Sequence, residues 1–231
     1  MADVSVTWLG HGSFRIDSPG GKRIYLDPWL EGNPTCPKSE LEPERCDIVA
    51  VTHGHFDHVD AVAKIAERFE PPIVAIHELA QWLGNQGVPG GADNGMGMGG
   101  TQEIDGISFT LTRSVHSSST PDGAYAGDAA GFVIGFENGT KLYASGDTDV
   151  FGDMELIRRL HAPETAILSI GDHYTMGPAG AEVALELLGV RKCIPAHWGT
   201  FPLLTGTSAA LRELAPDVEV FELKPGQAVT V

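Results

Sequence analysis

Within six consecutive residues, His53, Gly54, His55, Phe56, Asp57 and His58, the chain sets four side chains able to hold a metal ion. Neutral imidazoles and a carboxylate form a nitrogen and oxygen donor set that suits Zn²⁺ and also accepts Mn²⁺, Fe²⁺ or Ni²⁺. His53 and His55 stand two residues apart, so in extended backbone both project to one side. A turn after Phe56 then swings Asp57 and His58 toward a neighbouring point. The bland alternative is a solvated loop that holds three histidines by accident, but packing imidazoles and a carboxylate this closely is otherwise unrewarded.

The elements that must position this segment follow from apolar periodicity. Val4, Val6 and Trp8, then Phe14 and Ile16, then Arg23 to Leu26, read as an opening meander of strands punctuated by Gly10 to Gly12 and by Pro19 to Gly21. The run Asp47 to Thr52 reads as a buried strand that delivers the histidine segment at its C-terminal end. Val62, Ile65, Ala66 and Phe69 keep helical spacing, and Pro71 and Pro72 stop that helix. A strand at Ile73 to Ile76 and a helix from Glu78 follow. Residues 84 to 100 contain eight glycines, which predicts a surface loop acting as a mobile flap beside the site, with Met98 touching substrate. The alternative is that Met96 and Met98 pack onto the core. Ile107 to Val115 reads as a strand, and Phe132 to Phe136, the Asn138 and Gly139 turn, and Lys141 to Ala144 make a hairpin. The last third alternates helix and strand through Met154 to Leu160, Ala166 to Ile170, Ala181 to Leu188, Lys192 to Ala196, Ala209 to Leu214 and Val218 to Leu223. An α/β layered fold in one domain, residues 1–231, is expected.

At Thr52 to His58 the sequence resembles the metallo-β-lactamase superfamily, whose hallmark is a T-H-x-H-x-D-H loop. The resemblance implies a four-layer αβ/βα sandwich, two β-sheets flanked by helices. It implies that His53, His55 and His116 hold a first metal ion, that Asp57, His58 and His197 hold a second, and that Asp147 bridges them. His116, Asp147 and His197 each lie just past a predicted strand, which gathers the set on one sheet edge. Two metals side by side would present a shared water as hydroxide and polarise a scissile carbonyl or phosphoryl oxygen, chemistry suited to hydrolysis. Asp57 is either a ligand alone or also a proton acceptor in catalysis. His11 between Gly10 and Gly12, the pair Asp27 and Pro28, and residues 172–178 and 195–202 resemble a branch of small metal-dependent hydrolases similar to ascorbate-phosphate lactonases and N-acyl phosphatidylethanolamine phospholipases.

Outside the ligand set, His11 is expected to act in catalysis by approaching the metals or orienting substrate, against the alternative of a satisfied core histidine. His173, beside Asp172 and Tyr174, is a candidate substrate contact. Asp27 is expected to hydrogen-bond a ligand histidine from behind rather than form a turn. Cys193, four residues before His197, reads as a small buried hydrophobe.

Charge narrows the partners. Lys and Arg number 15 against 31 Asp and Glu, a balance of −16 that repels phosphate backbones and anionic membrane surfaces. Long nucleic acids and membranes are disfavoured, a small-molecule substrate is favoured, and a homo-oligomer stays open. Cys36, Cys46 and Cys193 suggest no disulfide framework, and with no signal-like N-terminus the expected setting is cytoplasmic. The expected function is hydrolysis of an ester, lactone, amide or phosphodiester in a small soluble substrate. The alternatives are a nucleotide or nucleic-acid phosphodiesterase and a non-catalytic, metal-stabilised binding or sensing protein.

Overall fold

The computed structural model describes residues 3–231. The chain begins with the antiparallel strands β1 (Ser5–Gly10), β2 (Ser13–Asp17) and β3 (Arg23–Leu26). From β3 the strands run parallel through β4 (Ile48–Ala50), β5 (Ile73–Ile76) and β6 (Asn94–Met96). The first helical crossover carries α1 (Phe56–Val59) and α2 (Val62–Phe69), and the next carries α3 (His77–Asn85). A second antiparallel set follows, β7 (Thr101–Ile104), β8 (Ile107–Arg113), β9 (Ala130–Gly135) and β10 (Lys141–Ala144). It continues in parallel β11 (Thr165–Ser169), β12 (Lys192–Ala196) and β13 (Glu219–Val220), joined through α4 (Met154–His161), α5 (Pro178–Leu188) and α6 (Ser208–Leu214). Strand β14 (Ala228–Thr230) returns to pair with β1.

Two mixed seven-stranded sheets result, in the orders β14-β1-β2-β3-β4-β5-β6 and β13-β12-β11-β10-β9-β8-β7. Side-chain alternation in the second sheet divides its residues between two cores. Phe132, Ile134, Leu142, Ile167 and Ile194 point into the cluster shared with the first sheet, whereas Val133, Tyr143, Ala166, Leu168 and Cys193 point toward α4, α5 and α6. Both faces are covered, so the parallel strands are apolar throughout. Cys193 is fully buried in that outer core. Helix α2 stops at Glu70, held at φ +48° just before Pro71, and α5 starts on Pro178 and ends at a left-handed Gly189. Among the described residues, no helix is long and apolar enough to cross a membrane.

The proposed flap is corrected here. Residues 94–96 form β6, which extends the first sheet beside β5, and Met96 is 7% exposed within the main core. Gly95 is needed for this packing, because a Cβ there would come within 3.1 Å of the His77 backbone. A glycine-rich composition hid the strand, since backbone pairing rather than side-chain burial holds it. Strands β7 and β14 were also unforeseen, and β13 is shorter than expected.

Candidate metal centre

Every proposed ligand follows the C-terminal end of a strand, and these ends share one edge of the sandwich. His11 succeeds β1, Asp27 succeeds β3, the histidine segment follows β4, His116 follows β8, Asp147 follows β10 and His197 succeeds β12. His11, Asp27 and His197 take positive φ values of 54°, 48° and 58°, the left-handed turn by which a residue folds its side chain back over the strand end. Such conformations are costly for residues other than glycine and persist where the surroundings over-determine them. The His197 amide donates to the His11 carbonyl at 2.9 Å, tying the two sheets together at this edge. Gly12 leaves room for the His58 ring, which a Cβ would meet at 2.8 Å.

The expected turn within the histidine segment is the single helical turn α1, with His55 preceding it in extended backbone. Nε2 of His53 and Nδ1 of His55 face each other at 3.0 Å, near the roughly 3.3 Å kept by two nitrogens on one tetrahedral ion. Asp147 stands at the middle of the cluster. Its Oδ2 lies 3.0 Å from Nε2 of His197, 3.5 Å from that of His58, 3.7 Å from that of His116 and 3.9 Å from that of His53. Oδ2 of Asp57 lies 3.7 Å from Nε2 of His197 and 3.9 Å from that of His58. Donor atoms converge within 4.8 Å in three overlapping groups: His53, His55 and His116; His53, His58 and Asp147; and His11, Asp57, His58 and His197.

A divalent ion fits these residues. His58 Nδ1 donates to Asp27 Oδ2 at 2.9 Å, which turns Nε2 inward, where it is buried without a hydrogen-bond partner. A buried ring nitrogen left in this state is costly unless it binds something, and a neutral imidazole so oriented is a ligand backed by a carboxylate. Asp27 also accepts from the Thr52 amide and hydroxyl, each at 2.7 Å. The Thr52 oxygen in turn faces His53 Nδ1 at 3.0 Å. One buried carboxylate thus orients His58 directly and His53 through Thr52.

Titration divides the cluster. Burial, reinforced by His58, holds His53 well below the ordinary imidazole value and lowers His55; burial is also the main cause at His116. Burial acts against His58 and His197 as well, but there the carboxylates prevail. Asp147, Asp27 and Asp57 raise His58 well above its ordinary value, and Asp147 and Asp57 lift His197 to about 9. Burial alone would raise Asp57 and Asp147, yet the surrounding histidines hold both far below the usual carboxylate range.

The other three expected site residues lie outside the cavity wall, and of them His11 reaches the ligand cluster. His11 is fully buried and outside the cavity wall. Its Nε2 donates to Asp57 Oδ2 at 2.9 Å, its Nδ1 accepts from the Thr200 hydroxyl at 2.9 Å, and its ring lies 3.8 Å from that of His197. Both nitrogens are engaged, so it positions Asp57 rather than meeting substrate, and burial lowers it to about 4. His173 is exposed, packed edge-on against the Tyr174 ring at 4.5 Å, and Tyr174 takes its place in the wall. Met98 is 40% exposed and follows β6, separated from the histidine strand by β5.

The cavity over the cluster has a volume of about 600 Å³. Above His55, Asp57, His116, Asp147 and His197 its wall is formed by Phe56, Ser117, Tyr174, Phe201, Pro202 and Leu203. The sequence reading gave none of these six a role. Phe56 sits inside the motif itself, and residues 201 and 202 end the stretch singled out by resemblance, so position along the chain was a usable signal.

Residues 22–198 match the β-lactamase superfamily domain. Over 230 residues the chain is 44% identical to a UPF0173 metal-dependent hydrolase of Koribacter versatilis, covering 98% of each. Its fold is similar to that of Igni18, a metallo hydrolase of the hyperthermophilic archaeon Ignicoccus hospitalis, with 31% identity, a TM-score of 0.88 and coverage of 100% and 99%. An isothiocyanate hydrolase from Delia radicum gut bacteria shares the fold alone, at 20% identity, TM-score 0.74 and 98% coverage of each chain. A family match over most of the chain, relatives of one kind matched over nearly their whole length, and a histidine and aspartate cluster at the sheet edge agree: the chain is a metal-dependent hydrolase of the β-lactamase superfamily.

Proposed function

We propose that the enzyme works with two divalent ions, Zn²⁺ being the preferred pair, on a small-molecule substrate carrying an ester, lactone, amide or phosphodiester bond. The observation that carries this reading is the position of the Asp147 oxygen among four histidine nitrogens at 3.0–3.9 Å. A carboxylate so surrounded serves two ions more readily than one. His53, His55 and His116 would hold the first ion and Asp57, His58 and His197 the second, with Asp147 common to both.

Two such ions supply a Lewis acid for the substrate oxygen and a water acidic enough to attack near neutral pH. The chain's own residues do the rest. Asp57 borders the cavity, where its carboxylate can pass a water proton to the leaving group. His11 fixes the carboxylate in that posture through Nε2, and Thr200 fixes His11. Phe56 and Phe201 give the cavity apolar walls beside the polar floor.

Metal analysis tests the reading. Protein reconstituted with Zn²⁺, Mn²⁺ or Fe²⁺ and freed of loose ions should carry close to two ions per chain. A value that stays at one or below with every metal refutes the paired site.

A further inference from the structure

Resting on the hydrolase reading above, we propose that the substrate is an uncharged carboxylic ester or lactone whose apolar body lies on Phe56, Tyr174, Phe201 and Leu203. Phe56, Tyr174 and Leu203 are 54%, 51% and 52% exposed and border the same cavity. Isolated exposed apolar residues are ordinary, but a group of them at the mouth of a polar-floored cavity marks a ligand surface. The floor beneath is the candidate metal cluster, so an acyl group placed over it leaves its hydrocarbon part against this wall.

Charge speaks against an anionic substrate. None of the 15 Lys and Arg residues is among the residues lining the cavity. Several of the cations are engaged with acids elsewhere, as Arg15 is with Glu40 at 2.6 Å and Lys64 with Glu31 at 2.5 Å. Sites that recognise phosphate or carboxylate groups use an Arg fork or a Lys to meet the oxygens that the reaction leaves untouched. Here the wall offers only the Ser117 and Tyr174 hydroxyls to meet such oxygens.

In the reaction the water oxygen bonds to the acyl carbon and the bond from that carbon to the alcohol oxygen breaks. One water proton, carried by Asp57, ends on the alcohol, and the other leaves from the acid product. An amide nitrogen departs less readily than an alcohol oxygen and leans harder on a proton donor. Beyond the ligand residues the wall adds none but two hydroxyls.

The test uses the metal-loaded protein and p-nitrophenyl esters from acetate to octanoate, with octanoyl p-nitroanilide and bis(p-nitrophenyl) phosphate beside them. The value of kcat/KM should climb roughly two- to fourfold per methylene, and the octanoate should exceed both the anilide and the phosphate. Leu203→Ala and Phe56→Ala should lower octanoate turnover several-fold more than acetate turnover. A flat series, or faster cleavage of the phosphate or the anilide, overturns the proposal. A binding measurement separates it from the hydrolase reading: 2-decanone, an uncharged carbonyl compound, should displace a fluorescent apolar probe at lower concentration than octyl phosphate does. If no substrate is cleaved but the ketone still prevails, the hydrolase reading fails while the ligand class stands; if octyl phosphate prevails, the ligand class is wrong whatever is cleaved.

Discussion

The two proposed halves of the metal cluster use the same kinds of side chain yet are supported differently. His55 and His116 are only partly buried, and at its outer nitrogen His55 faces the Ser117 hydroxyl at 3.5 Å. His58, His197 and Asp57 are buried and braced by Asp27 and His11. The open half has neutral imidazoles, with Thr52 behind His53 and the Ser117 hydroxyl near His55. The closed half is a lattice of imidazoles and carboxylates that compensate one another. Both halves border the cavity, and the bracing of the closed half adds rigidity, because orientation of ligands by outer partners sets both affinity and geometry.

Removing the residue shared by both halves should have the largest effect. Asp147→Ala should leave fewer than one ion per chain, whereas His116→Ala should mainly empty the open half and His197→Ala the closed half. Equal losses in the three variants, read by elemental analysis, would show that the halves are not separate sites. Next in size is Asp27→Asn, which keeps the shape and tolerates the left-handed backbone but cannot accept as strongly from His58 and Thr52. Affinity of the closed half should drop roughly 10- to 100-fold in chelator competition, with Thr52→Val weakening the open half by a smaller factor. If Asp27→Asn weakens only the open half, the relay has been drawn in the wrong direction.

The halves should also differ in proton exchange. In metal-free protein at pH 7, His58 and His197 keep their protons, because their values lie above the ordinary one, while His53, His55 and His116 are neutral. Filling the closed half should therefore release protons and gain affinity from pH 6 to 9; filling the open half should release almost none. Calorimetric titrations in buffers of different ionisation enthalpy count these protons, and equal counts would erase the distinction. The folded chain binds the His197 proton more tightly than the unfolded chain does. Its contribution to metal-free stability is thus full below about pH 6.5 and is lost as pH rises through about 9.

The smallest effects belong to the former flap. Met96→Ala should cost about 2 kcal/mol of stability as a buried truncation without altering metal content. Met98→Ala and His173→Ala should each fall within about 0.5 kcal/mol of the parent and leave turnover unchanged. A turnover defect in Met98→Ala with stability intact would restore the flap.

How much of this was legible in the sequence depends on whether local chemistry carries its own signature. The six-residue segment from His53 to His58 announced its function by composition, and apolar spacing located β4 and α2 because each buries a continuous or periodic face. Asp27 could be read as a support residue from its place at a strand end. The glycine-rich strand β6 had no such face to display, since its pairing with β5 is made by backbone groups common to every residue. What the tertiary structure alone decided was which residues meet across the sheet edge. His11 and Asp57 are 46 residues apart in the chain, and His11 and Thr200 are 189 apart. Their contact follows from where two sheets stack, and it moved His11 from the substrate to the back of a carboxylate. The aromatic wall arose in the same way, because Phe56, Tyr174 and Leu203 acquire a common surface only once the ends of β4, β11 and β12 are brought together. Residue types and spacing fix the chemistry a chain can perform; distances between segments far apart in sequence, set by packing of the whole, fix which groups perform it.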